Sequence, residues 1–177
     1  MAPSKLVEMA KGIIETIRGK KEAAIVEKEQ IESMLPHRGR MLLLDKVHIS
    51  ADEVRGIFTV TKEVCEDHAV LGETLVFRGV DTVEMAAQTV GVSWGVQHPD
   101  FLEKKGMLRR VDRVKFSKPV FVGDSIEVAV KASKIRDVVL GGPEPEKIIV
   151  KVIAQSIEVF VGKERKAVIG EIELAFI

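Results

Sequence analysis

Tyrosine is absent from this 177-residue chain, and tryptophan and cysteine occur once each. A single cysteine leaves no internal disulfide possible and points to a reducing compartment. So few stacking platforms argue against binding of single-stranded nucleic acid. The 27 basic and 27 acidic residues cancel, so no net field recruits a polyanion or an anionic membrane. No apolar run approaches the ~20 residues of a membrane span. Glu8, Lys11 and Glu15 interrupt the N-terminal apolar positions, so there is no signal-peptide core. A soluble cytoplasmic protein is expected.

Apolar residues make up 46% of the chain and charged residues 31%, enough for one sizeable core. The organising stretch is Cys65 to Val96. It reads as a loop carrying His68, a glycine turn, and a helix over about 80–96. Val80, Val83, Ala87, Val90 and Trp94 recur at helical spacing, and Met85, Ala86, Val92 and Val96 fill most of the remaining surface. Such a helix is expected to be buried. Glu84 and, one turn later, Gln88 interrupt it. A carboxylate there must be paired, hydrogen-bonded or protonated, and His68, sixteen positions upstream of Glu84, is the candidate partner.

Before that stretch, residues 4–18 pattern as an amphipathic helix, which either docks a partner or packs on the main body; packing is the expectation adopted. A short helix over 28–35 must end before Pro36. The segment LPHRGRMLLLDKVHIS predicts a strand from Met41 to Ile49, and Val54 to Val60 a second. After the central helix come strands over 106–116, 126–132, 148–161 and 168–176. The run GGPEPEK (141–147) predicts a surface loop. Val168, Gly170, Ile172, Leu174 and Phe176 are expected to share one face. The order predicts an α+β domain, an antiparallel sheet wrapped on a central helix. The expected organisation is an N-terminal helical extension (1–26) followed by a single domain (27–177).

Four stretches carry a resemblance: LPHRGRMLLLDKV (35–47), RGVDTVEMAAQ (78–88), VDRVKFSKPVFVGDSIEV (111–128) and VGKERKAVIGEIELAF (161–176). Together they are similar to the 3-hydroxyacyl-(acyl carrier protein) dehydratases, which adopt the hot-dog fold. The motif around the histidine departs from that family's Gly-His-Phe-Pro-Gly. Here Asp67 stands for the first glycine and Ala69-Val70 for Phe-Pro, Arg78 replaces a proline, and the gap to Glu84 is about two residues longer.

The resemblance implies a hot-dog fold and conversion of a 3-hydroxyacyl thioester, on acyl carrier protein or coenzyme A, to a trans-2-enoyl thioester, without a cofactor. It implies His68 as base and Glu84 as acid, the latter held protonated by burial or positioning the departing water. The amides of Gly79 and Val80 would receive the enolate oxygen, and Gln88 would hydrogen-bond the Glu84 carboxyl. It further implies that His68 and Glu84 come from different subunits, hence a homodimer or a trimer of dimers. Arg109, Arg113, Lys115 and Lys118 lie in a basic stretch, with the first three expected on one strand face. They are candidate contacts for a pantetheine phosphate or an acidic carrier, against the alternative of a solvated face. The patch is too short and too poor in aromatics for nucleic acid.

Cys65 and His68 have metal-like spacing but no second ligand pair, so no metal is expected. His37, His48 and His98 are assigned structural places. Two alternatives stay open: a hot-dog thioesterase using Glu84 to activate water, and a non-catalytic module that binds acyl chains or a carrier protein.

Overall fold

The helix made apolar on nearly every side is α4 (Gly79–Gln97). A helix of that composition is stable only if its surroundings cover it. The computed structural model describes residues 4–20, 23–99, 102, 104, 106–140 and 149–177. In it Met85, Ala86, Val90, Val92 and Val96 are fully buried against a curved antiparallel sheet.

The preceding elements are α1 (Lys5–Lys20), β1 (Ala24–Glu27), α2 (Lys28–Met34), β2 (Lys46–Ile49), β3 (Glu53–Thr59), α3 (Lys62–Cys65) and the hairpin β4 (Ala69–Leu71)–β5 (Thr74–Val76). After α4 come β6 (Gly106–Phe116), β7 (Ser125–Lys131), β8 (Ile135–Leu140), β9 (Ile149–Val161) and β10 (Glu164–Phe176). The sheet runs β1-β2-β3-β7-β9-β10-β6, and β8 pairs with the first half of β9. Every pairing is antiparallel. This is the hot-dog arrangement, α+β with a long central helix. The helix α1 lies along α4 with Ala10 fully buried and Ile13 in the core. Because β1 already pairs with β2, the sheet begins at Ala24.

Three local expectations are corrected. The strand predicted from Met41 begins only at Lys46; residues 39–41 form a 3-10 turn instead. Leu42, Leu43 and Leu44 are all buried in succession. A strand would alternate them between two faces, so the run is accommodated as an interior loop.

Secondly, β10 does not keep one face. Ile172, Leu174 and Phe176 are buried as expected, but further back Ile169 is buried and Val168 is not. The phase shifts between Ile169 and Glu171, whose partners are Ile157 and Gln155 on β9 and Val114 and Asp112 on β6. Ser156 and Arg113, opposite Gly170 on either side, have φ of 57° and 54°. A left-handed residue in a strand turns the following side chains to the other face, as a bulge does. Gly170 suits that row because a Cβ there would lie 2.8 Å from Arg113 Nε and 3.1 Å from Asp112 O.

Thirdly, the same shift at Arg113, with an irregularity opposite Glu173/Leu174, breaks the single face expected for Arg109, Arg113 and Lys115. The loop expected at 141–147 lies outside the described residues.

Candidate active site

The helix α4 presents Glu84, Gln88, Gly91 and Gly95 on one side, at spacings of four, three and four residues. All four line a cavity of about 170 Å³. Its wall is largely apolar, with Leu35, Trp94, Leu174 and Phe176 among the lining residues and His37 and Lys104 as polar members. A Cβ on Gly95 would come within 2.7 Å of Leu102 and 3.2 Å of Met34, so that end is closed. A Cβ on Gly91 would make ordinary van der Waals contact with Leu174 and Leu35, both at 3.8 Å, so the groove there is wider than at Gly95. The result is an apolar slot with one carboxyl group in its wall, the usual composition of a small-molecule site.

Glu84 is anchored by the segment that follows α2. Gln88 Oε1 accepts the Leu43 amide (2.9 Å), and Gln88 Nε2 donates to the Met41 carbonyl (2.7 Å) and to Glu84 Oε1 (3.0 Å). A backbone N–H can only donate, so the Leu43 contact settles which end of the amide faces Glu84. His37 Nε2 lies 3.1 Å from the same Oε1. His37 was placed as structural from sequence; here it is the imidazole beside the carboxyl. The only signal for it was its place in the LPHRGR motif, because nothing local ties residue 37 to residue 84. The Glu84 side chain is 23% exposed. Its pKa lies below the ordinary value because the His37 hydrogen bond, helped by that of Gln88, outweighs burial. That direction favours the charged form, which suits the second of the two roles expected for Glu84, positioning the departing water.

His68 lies elsewhere in the protomer. It follows α3, where its amide donates to Cys65 O at 3.1 Å, and its side chain is exposed. It lines a second cavity with Gly79, Thr82, Phe116, Lys118 and Lys166. Within one protomer His68 and Glu84 thus line different cavities, and the expected pairing across subunits involves a second copy. Gly79 and Val80 begin α4, and the first amides of a helix have no acceptor within it. The Phe116 ring covers Gly79, where a Cβ would come within 3.0 Å. Arg78 Nε donates to the buried Asp81 carboxylate (2.7 Å) in the same first turn.

Of the basic candidates, Arg109 is bound by Glu173, Arg113 lies 3.6 Å from Asp112, and Lys118 is bound by Glu164. Lys115 faces solvent on β6. Cys65 is buried, and burial pushes its thiol pKa up, away from nucleophilic use. Among the described residues no group of three or more His, Cys, Asp or Glu could hold a metal ion. No described helix is long and apolar enough to cross a membrane.

Comparison with known proteins places the chain in a family. A 3-hydroxyacyl-[acyl-carrier-protein] dehydratase FabZ from Solibacter usitatus is 33% identical over 112 residues, spanning 63% of this chain and 69% of that protein. The protein of the same name from Bradyrhizobium diazoefficiens is 37% identical over 112 residues, 61% of this chain and 72% of that one. Among solved structures, the dehydratase heterocomplex ApeI:P from Xenorhabdus doucetiae superposes with a TM-score of 0.57 at 21% identity, covering 83% of this chain and 90% of that one. That likeness is one of fold. The family profile described as "ApeP-like: ApeP dehydratase" matches residues 29–141, which take in the Leu-Pro-His segment, α4 and β6. The chain belongs to the ApeP-like dehydratase family.

Proposed function

We propose that the protein dehydrates a 3-hydroxyacyl thioester, carried on acyl carrier protein or coenzyme A, to the trans-2-enoyl thioester. The observation that carries this is the Glu84 carboxyl, held by His37 and Gln88, standing in the wall of a largely apolar slot. An acyl chain fills the slot along Gly91, and the 3-hydroxyl donates to the carboxylate.

The imidazole of His68 from a second copy takes the proton from C2. The C2–H electron pair moves into an enolate whose oxygen is held by the amides of Gly79 and Val80. The enolate collapses to the C2–C3 double bond as the C3–O bond breaks, and the imidazolium returns its proton to the departing hydroxide, giving water. Glu84 thus orients the leaving group and His68 supplies both acid and base. Lys118, in the same cavity as His68 and Gly79, is the basic candidate best placed for a pantetheine phosphate.

A second copy is supported by the sheet's open end. The terminal strand β6 exposes Met107, Leu108 and Phe116, and Val80 beside it is 68% exposed. An edge strand with exposed apolar residues at both ends is a surface that a second copy would cover.

Incubation with 3-hydroxyacyl thioesters on both carriers is expected to form the enoyl thioester, and enoyl thioester is expected to be hydrated in return. Release of free thiol would identify a thioesterase, and saturable binding without turnover a binding module. Gly91→Leu would fill the slot midway along α4, roughly 10 Å from Glu84 at the helical rise. It is expected to shift kcat/KM toward short acyl chains by 10-fold or more against long ones, order-of-magnitude for a blocked apolar pocket. A chain-length series measures this.

A further inference from the structure

We propose that His37 is a positioning residue for Glu84: it holds the Oε1 edge of the carboxylate so that Oε2 is the oxygen presented to substrate. This rests on the dehydratase reading above and names a residue that sequence reasoning had set aside.

The geometry begins with a backbone amide. Leu43 N–H fixes Gln88, and Gln88 then must turn its NH2 group toward Glu84. Glu84 Oε1 is therefore an acceptor already engaged, so the proton between it and His37 belongs on Nε2. His37 Nδ1 is buried and has no hydrogen-bond partner among the described residues. With a proton on Nε2 and none on Nδ1, the buried Nδ1 keeps only a bare lone pair, whereas a proton on Nδ1 alone would bury an unsatisfied N–H and face one acceptor with another. Nε2 is committed to Glu84 and Nδ1 is enclosed, so His37 has no nitrogen free to take a proton from C2 of the substrate.

Both contacts named for the carboxylate fall on Oε1. Two donors on one oxygen fix the rotation of the group and favour its charged form, in keeping with its lowered pKa. One donor belongs to the segment that follows α2, and the other, Gln88 on α4, is held in place by that same segment. His37 stands just after Pro36, and Met41 and Leu43 hold Gln88 across the 3-10 turn. The segment from Leu35 to Leu44 is thus a bracket around Glu84, which gives the buried Leu42–Leu44 run a purpose a strand would not serve. Among the described residues, the titratable ones lining the cavity are Glu84 itself, His37 and Lys104, the last from the connection between α4 and β6.

Three variants test this: His37→Leu removes the donor, His37→Gln restores one at the position of Nε2, and His37→Asn is too short to reach. The pH profile of kcat/KM and the NMR titration of the Glu84 side-chain carbon, assigned by its loss in Glu84→Gln, are both recorded. In His37→Leu the NMR midpoint is expected to move to higher pH, and kcat at the optimum to fall about 10²-fold through misplacement of the carboxylate. His37→Gln is expected to recover most of both, and His37→Asn to behave as His37→Leu, standing in for it should the leucine variant fail to fold. An unmoved NMR midpoint would overturn the proposal. So would a kcat loss in His37→Gln as deep as in His37→Leu, which would make His37 a proton-transfer group itself. The NMR titration needs no substrate, so a shifted midpoint in a protein that turns over no 3-hydroxyacyl thioester would retain the positioning role while refuting the dehydratase reading.

Discussion

Glu84→Gln is expected to lower kcat for dehydration by about 10²–10⁴-fold, the range for a disabled group at the reacting bond, with a much smaller change in KM. The substitution keeps the volume of the side chain and leaves a carbonyl oxygen for His37 and Gln88 to donate to. What changes is the atom facing the slot. An amide NH2 cannot accept the substrate hydroxyl, so the leaving group loses its orientation at the point where the C3–O bond breaks. Steady-state kinetics on one thioester series provides the check, and a variant retaining wild-type kcat would remove Glu84 from the mechanism. The charge also carries a stability signature. Glu84's pKa is depressed in the folded state, so its ionisation stabilises the protein at pH above the ordinary carboxylate range. That contribution is lost as pH falls through the folded value. Denaturant unfolding is accordingly expected to separate wild type from Glu84→Gln most at neutral pH and least in acid.

His68→Ala is expected to be as severe, about 10²–10⁴-fold in kcat, and its most telling behaviour is in mixture. Each proposed site takes His68 from one copy and Glu84 from the other. If His68→Ala and Glu84→Gln chains are mixed under exchange conditions, half of the dimers are mixed. Each mixed dimer then carries one intact site and one doubly impaired site, so activity is expected to recover to about a quarter of wild type. Two individually inactive proteins giving an active mixture would place the residues on different chains. A mixture as inactive as its components would place them on one chain, or remove His68 from the chemistry. The protomer favours the former arrangement, since His68 and Glu84 line separate cavities within it.

The elements legible from sequence were those whose environment repeats at the period of the backbone. The helix α4 announced itself by apolar residues on all sides, β9 by a long Val/Ile run, and α2 ended where Pro36 forbids continuation. What escaped was decided by contacts far apart in the chain. The four-residue β1 is a strand because β2 pairs with it. The face of β10 shifts because Ser156 and Arg113 on neighbouring strands share a row with Gly170. Leu42–Leu44 looked like a strand because it is apolar and short; it is a loop because Gln88, 45 positions from Leu43, takes its amide.

By itself the sequence determined that one helix must be enclosed by a sheet and that Glu84 and Gln88 must find polar partners inside it. Burial of a carboxylate is costly wherever it occurs, so that requirement could be read without coordinates. Which imidazole meets the carboxylate within the protomer, and whether the acid stays ionised, were decided by tertiary structure alone. Hydrogen bonds act over about 3 Å, and only the folded chain brings His37 that close to Glu84.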